Sequence, residues 1–110
     1  MSITFLLTYT GKAGAAQAFV QEMESSGITA VIRSREGNLR YDYYVSHADS
    51  NTVLLVDSWA SQEALDIHHA SPEMEKIVAL REKYDLRMTA ERLVSDDDNF
   101  SAHDRSFIRD

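Results

Sequence analysis

His68 is the residue whose type and position most invite chemistry. An imidazole titrates near neutral pH and is a common carrier of protons in catalysis. On a helical wheel Ala64, Ile67 and His68 share one face, with Leu65 at its edge, so a helix here turns His68 inward. The plain alternative is a core histidine bonded to a backbone carbonyl. His69 points about 100° away, toward solvent.

Arg81 is the second residue out of place. Met74, Ile77, Val78 and Tyr84 form the apolar face of the following helix, and Arg81 falls in its middle. A charge there needs a partner or water. It can hold an anionic or enolate oxygen of a ligand. Otherwise it pairs with Asp57 or snorkels to the surface near the helix end. Trp59 closes the strand before the His68 helix, and Tyr41, Tyr43 and Tyr44 lie on the neighbouring strand. Aromatic walls suit a flat, conjugated substrate, although such stripes also build cores and interfaces. Asn38 follows Gly37; it offers an amide to a substrate oxygen at the sheet edge, or it serves the turn.

Other chemistries lack their residues. There is no cysteine, which removes disulfides, thiolate metal sites and a cysteine nucleophile. His47, His68, His69 and His103 have no metal-ligand spacing. There is no phosphate loop, no GxGxxG and no serine elbow. The expected set is therefore His68 and Asn38 as catalytic groups, with Trp59, Tyr41, Tyr44 and Arg81 against the substrate. Neither metal nor cofactor is expected.

The elements that must position these residues follow from patterning. Met1–Thr10 alternates, with Ile3, Phe5, Leu7 and Tyr9 on one face, as a strand does. Ala16, Phe19, Val20 and Met23 recur at helical spacing. Ser25, Ser26 and Gly27 interrupt that helix, and Ile28–Arg35 reads as a second helical piece or as β. Glu36-Gly37-Asn38 is a turn, Leu39–His47 a strand, Asp49-Ser50-Asn51 a hairpin turn and Thr52–Trp59 the returning strand. Ser61 caps a brief helix, and Ser71-Pro72 opens another that runs to Tyr84. Leu86–Val94 is the last strand. The order βαββαβ is the split, ferredoxin-like α+β arrangement with an antiparallel sheet and helices on one face. Tyr44, Leu54 and Val56 make the other face apolar as well, and a second copy of the chain would cover it. Residues 1–94 form the domain; 95–110, with Asp96-Asp97-Asp98, form an acidic tail, disordered or laid across a partner.

A net charge of −7 with scattered basic residues disfavours nucleic acid and anionic membranes. The first ten residues carry no positive charge and do not read as a signal peptide, and no apolar run is long enough to span a bilayer. A cytoplasmic homodimer acting on a small molecule is the expectation.

Three blocks then resemble the antibiotic-biosynthesis monooxygenase family. Glu36-Gly37-Asn38-Leu39-Arg40-Tyr41-Asp42 is similar to its EGN/CLxY segment, and Asp57-Ser58-Trp59 to its acidic-x-Trp strand end. Ala64–Pro72 is similar to its AxxxHxxSP helix junction, and the resemblance covers about Ser2 to Val94. It implies a dimeric α+β barrel. It further implies a cofactor-independent oxidation of a quinol or anthrone by O₂, with His68 as base. Asn38 or Arg81 would hold the oxyanion, and Trp59 and Tyr41 would wall the ring. Relatives with the EGNLR-aromatic-D form isomerise a small phosphorylated hydroxyketone. Haem-degrading relatives need a histidine near Val78, which is absent here. The remaining alternative is a dimeric ligand-binding or stress protein without turnover.

Overall fold

In a computed structural model, residues 1–109 are described. The strands are β1 (Ile3–Thr10), β2 (Asn38–Val45), β3 (Val53–Trp59) and β4 (Arg87–Val94). The helices are α1 (Ala15–Ser25), α2 (Ile28–Arg33), α3 (Gln62–His69), α4 (Pro72–Lys83) and α5 (Ala102–Arg105). One sheet has the order β2-β3-β1-β4, and all three neighbouring pairs are antiparallel. The ferredoxin-like α+β arrangement read from the sequence is the fold. The Ile28 segment is helical: Gly27, at φ +85°, turns the chain so that Ile28 and Ile32 bury.

Register decides what each face carries. Ile3 pairs with Trp59, Phe5 with Asp57 and Leu7 with Leu55, and Asp57 also pairs with Tyr41 on the far side. Ile3, Leu7, Tyr9, Tyr41, Leu55 and Trp59 therefore look toward the helices and are buried. Fully burying one such large side chain contributes about 1.5–3 kcal/mol. The opposite, helix-free face carries Leu6, Leu54, Val56, Tyr44 and Leu93. At the far edge every residue of β4 is exposed.

Residues after β4 are more ordered than a featureless tail. Asp97–Asn99 makes a 3-10 turn, and the Ser101 hydroxyl accepts the Asp104 N–H to start α5. Phe100, Phe107 and Ile108 remain exposed. Ser95 is joined to Ser2 by two hydrogen bonds, Ser95 N to the Ser2 carbonyl and Ser2 N to Ser95 Oγ. Among the described residues no helix is long and apolar enough to cross a membrane.

Gly37 couples the start of β2 to α3. Its φ is +86°, and a Cβ there would lie 2.5 Å from the Ala64 Cβ. Its carbonyl also accepts the Ala60 N–H at 2.7 Å. Gly37→Ala is expected to destabilise the fold by about 2–4 kcal/mol, from left-handed strain plus overpacking. Urea denaturation checks this; an unchanged midpoint would show that α3 does not depend on the contact.

Candidate active site

Strand alternation puts Asp57 and Trp59 on the same inward face of β3, with Tyr41 and Phe5 flanking Asp57 in register. Above them lies α3. Ser61 starts it, its hydroxyl accepting the Ala64 N–H at 3.1 Å. Ser71 pins its end, donating Oγ–H to the His68 carbonyl at 2.6 Å, and Pro72 opens α4 at once. The buried ridge of α3 is Leu65 and His68, whereas Ile67 is 58% exposed. The helix is two turns long and rests on one i, i+3 pair, so Ile67 turns out of the face on which the wheel placed it.

His68 is 2% exposed and stacks on the Trp59 indole, centroids 4.9 Å apart and planes 20° off parallel. Tyr41 meets it edge-on at 6.4 Å. Its Nδ1 is buried without a hydrogen-bond partner. Nε2 is not bonded to any described residue and is left to the cavity that His68 borders. Burial, reinforced by the charges of His69, Arg35 and Arg81 against Glu73, pushes the imidazole down to about 4. His68 is therefore neutral at pH 7.

The cavity holds about 180 Å³. That is below the ~300–1,000 Å³ of drug-sized pockets, so it suits one ring or a narrow part of a larger compound. Phe5, Leu7, Met74, Ile77, Met88 and Ala90 supply its apolar wall, and Tyr41, Asp57, His68, His69 and Arg81 its polar groups. His69, although exposed, stands at its border.

Arg81 does not pair with Asp57. Its Nε donates to the Tyr9 hydroxyl at 3.1 Å, and its guanidinium carbon lies 5.5 Å from the Tyr9 ring centre. Tyr9 is wholly buried, and burial raises its hydroxyl pKa. Val78, placed by the wheel on the inward face of α4, is exposed; Ile77 and Leu80 carry the contact instead.

Two expected site residues lie elsewhere. Tyr44 is on the helix-free face, where its hydroxyl accepts an Arg40 N–H at 2.7 Å. The Asn38 amide donates to the Arg40 and Ser58 carbonyls, at 3.2 and 3.4 Å, across an irregularity in the β2–β3 register. Neither borders the cavity. Trp59 is wholly buried and backs His68 rather than facing a ligand.

Asp57 joins the site without having been expected there except as a partner for Arg81. It is 5% exposed, and its Oδ1 accepts the Trp59 indole N–H at 2.6 Å. Burial pushes its carboxyl up to about 6, against the indole hydrogen bond and the Arg81 charge. The signal was in the strand: an acidic residue two before an inward tryptophan shares its face. Among the described residues no three histidines, aspartates or glutamates converge as a metal site would require.

The two shifts act oppositely on stability. His68 falls from 6.5 to about 4, so its contribution is full above 6.5 and is lost as pH drops through 4. Asp57 rises from 3.8 to about 6, so its contribution is full below 3.8 and is lost as pH climbs through 6. Each amounts to about 3 kcal/mol, and between pH 4 and 6.5 they nearly cancel. Measured against the wild type over that range, Asp57→Asn should gain about 3 kcal/mol as pH rises and His68→Gln should lose a similar amount. Urea titrations at several pH values test this; three parallel curves would mean that neither group is perturbed.

Comparison with known proteins places this geometry. No curated protein matches the chain in sequence. A conserved protein from Methanosarcina mazei superposes with a TM-score of 0.76 at 18% identity, covering 87% of this chain and 94% of that one. SnoaB, a cofactor-independent oxygenase from Streptomyces nogalater, gives 0.72 at 14%, covering 86% and 93%. At these identities the likeness is one of fold. A family model for antibiotic biosynthesis monooxygenases matches residues 2–80, most of the length of the domain, and the chain therefore belongs to the antibiotic biosynthesis monooxygenase family.

Proposed function

We propose that the chain is a cofactor-independent monooxygenase that oxidises a phenolic ring compound, of the quinol or anthrone class, with O₂. The observation that carries this is His68: a neutral imidazole whose free nitrogen borders a largely apolar cavity, with a cation in the same wall. His68 draws off the phenolic proton. The anion that forms is rich in electrons at carbon and transfers them to O₂. Arg81 balances the developing oxyanion, and Tyr41 and Phe5 wall the ring. A low-dielectric wall strengthens these interactions.

For an anthrone-type carbon the sum is R₂CH₂ + O₂ → R₂C=O + H₂O. One oxygen atom ends on carbon. The other leaves as water with the two hydrogens that the substrate gives up. The isomerase alternative needs room for a phosphate dianion, and the Asp57 carboxylate beside Arg81 opposes one. A cavity left open by the side chains also argues against a purely structural role.

The helix-free face supports a homodimer as the working form. Leu6, Leu54, Val56, Tyr44 and Leu93 make its centre apolar, while Arg40, Asp42, Arg87 and Glu91 stand toward its edges. Covering such a face removes apolar area from water, and obligate interfaces commonly bury about 2,000 Å² or more. Light scattering at micromolar concentration should give twice the 12.4 kDa chain mass. A monomer would refute the arrangement.

Oxygen uptake with a panel of quinols and anthrones tests the reaction. His68→Gln, which keeps much of the packing, should lower the rate by about 10²–10⁴-fold, the usual weight of a positioned acid or base. Full activity in a destabilised variant would reduce His68 to a core residue.

A further inference from the structure

Asp57 is the cavity side chain that the mechanism above leaves without a task. Burying a carboxylate is unfavourable unless it is paired. Here Oδ1 has the Trp59 indole, and among the described residues no cationic nitrogen lies within 4.0 Å of the carboxylate. Oδ2 takes no hydrogen bond from any described residue and is not among the buried atoms lacking a partner. It therefore faces the cavity that Asp57 borders.

The surrounding groups leave that oxygen available. From α4, Arg81 donates its Nε to Tyr9 of β1 and makes no ion pair with the carboxylate. From α3 come neutral His68 and, at the border, His69. On β2, Tyr41 is in register and stays protonated, its pKa raised well above 10 by burial. On β4, Arg92 pairs with Phe5 in register but turns its guanidinium to Gln62 Oε1 at 3.0 Å.

We propose that Asp57 is a catalytic residue whose Oδ2 receives the phenolic proton that His68 draws off, holds it, and later returns it to the oxygen that leaves as water. The assignment rests on the oxygenase function proposed above. In the first half the O–H bond of the substrate breaks and an O–H bond forms on the carboxyl. Carbon then donates an electron pair to O₂, forming a C–O bond and a peroxide anion, which the Asp57 carboxyl protonates. In the second half the remaining C–H proton is lost to base, the O–O bond breaks, C=O forms, and hydroxide leaves to recombine with that proton as water. Two oxygen atoms are reduced by four electrons, all supplied by the substrate carbon, and Asp57 ends as it began.

Base strength explains why one group is not enough. His68, at about 4, is a good hydrogen-bond acceptor but a poor holder of a proton. Asp57, at about 6, holds it roughly 100-fold more firmly.

Asp57→Asn tests the assignment, because an asparagine carbonyl still accepts the Trp59 indole N–H and fills the same space. The first measurement is the affinity of the wild type and the variant for phenol itself, by calorimetry from pH 5 to 8. The wild type should bind about tenfold more weakly at pH 5 than at pH 7, as the carboxylate is lost. Asp57→Asn should bind weakly and without that dependence. The second is oxygen uptake, expected to fall by about 10²–10⁴-fold in the variant. Wild-type affinity that is flat with pH, or a variant that keeps either the pH limb or the rate, overturns the proposal. Phenol binding with the limb present but no oxygen consumed by the wild type would instead sink the oxygenase function and leave Asp57 as the phenol's proton acceptor.

Discussion

A buried carboxylate bonded to a tryptophan, with no cation in contact among the described residues, is the constraint on which the site depends. Asp57 is anchored through Oδ1 by the Trp59 indole N–H, and Trp59 in turn is covered by the stacked His68 ring. The three side chains form one column from the sheet to α3. Removing the indole would release the carboxyl from its geometry and leave the imidazole without a floor. A charge-assisted bond of this kind is short and directional, so it fixes which carboxyl oxygen is spent on structure and which is free.

That column is only as steady as the helix above it. With eight residues, α3 is too short to be stable by itself. It is held instead at both ends. Ser61 caps its start, and Ser71 binds the His68 carbonyl through both Oγ–H and N–H. Gly37 lets β2 pass close under Ala64, where any side chain would push the helix away. The half-buried Arg35–Glu73 ion pair ties the β2 approach to α4. Rigid support of this kind is what a site with two perturbed groups needs.

Much of this was legible in the residues. Period-2 alternation marked β1, the Asp49-Ser50-Asn51 hairpin turn marked β3, and the Ser-Pro pair marked the start of α4. The inward turn of His68 followed from helical spacing, and the βαββαβ order followed from the turns. Alternation alone puts Tyr44 on the face opposite Tyr41 and Tyr43, and its pairing with Leu54 keeps it there, away from the cavity. What was not legible depended on register. Asn38 sits beside a register irregularity that composition does not announce, and there its amide is consumed by two carbonyls. Ile67 and Val78 show the same limit for helices. A wheel ranks positions by angle alone, whereas a short helix touching the sheet along one ridge buries fewer residues than its apolar face offers. Asp57 was visible as a residue but not as a free one, because its expected partner, Arg81, is taken by Tyr9 across 72 positions of sequence.

The energetics of the site point the same way as its geometry. A buried nitrogen without a partner, as at His68 Nδ1, costs about 1–3 kcal/mol. A carboxyl whose pKa is pushed up to about 6 pays a desolvation penalty at neutral pH on top of that. Replacing the imidazole with an apolar side chain, and the carboxylate with a neutral acceptor for the Trp59 indole N–H, would make a more stable core. The packing of β3 requires an acceptor for the Trp59 indole N–H at position 57 but not an acid, since an amide would serve and the other neighbours on that face, Val53 and Leu55, are buried apolar groups. The core around them is large enough to carry the cost. Two destabilising groups bordering one cavity, each displaced in pKa by its own burial, form a pattern that structure alone does not favour and that proton transfer does.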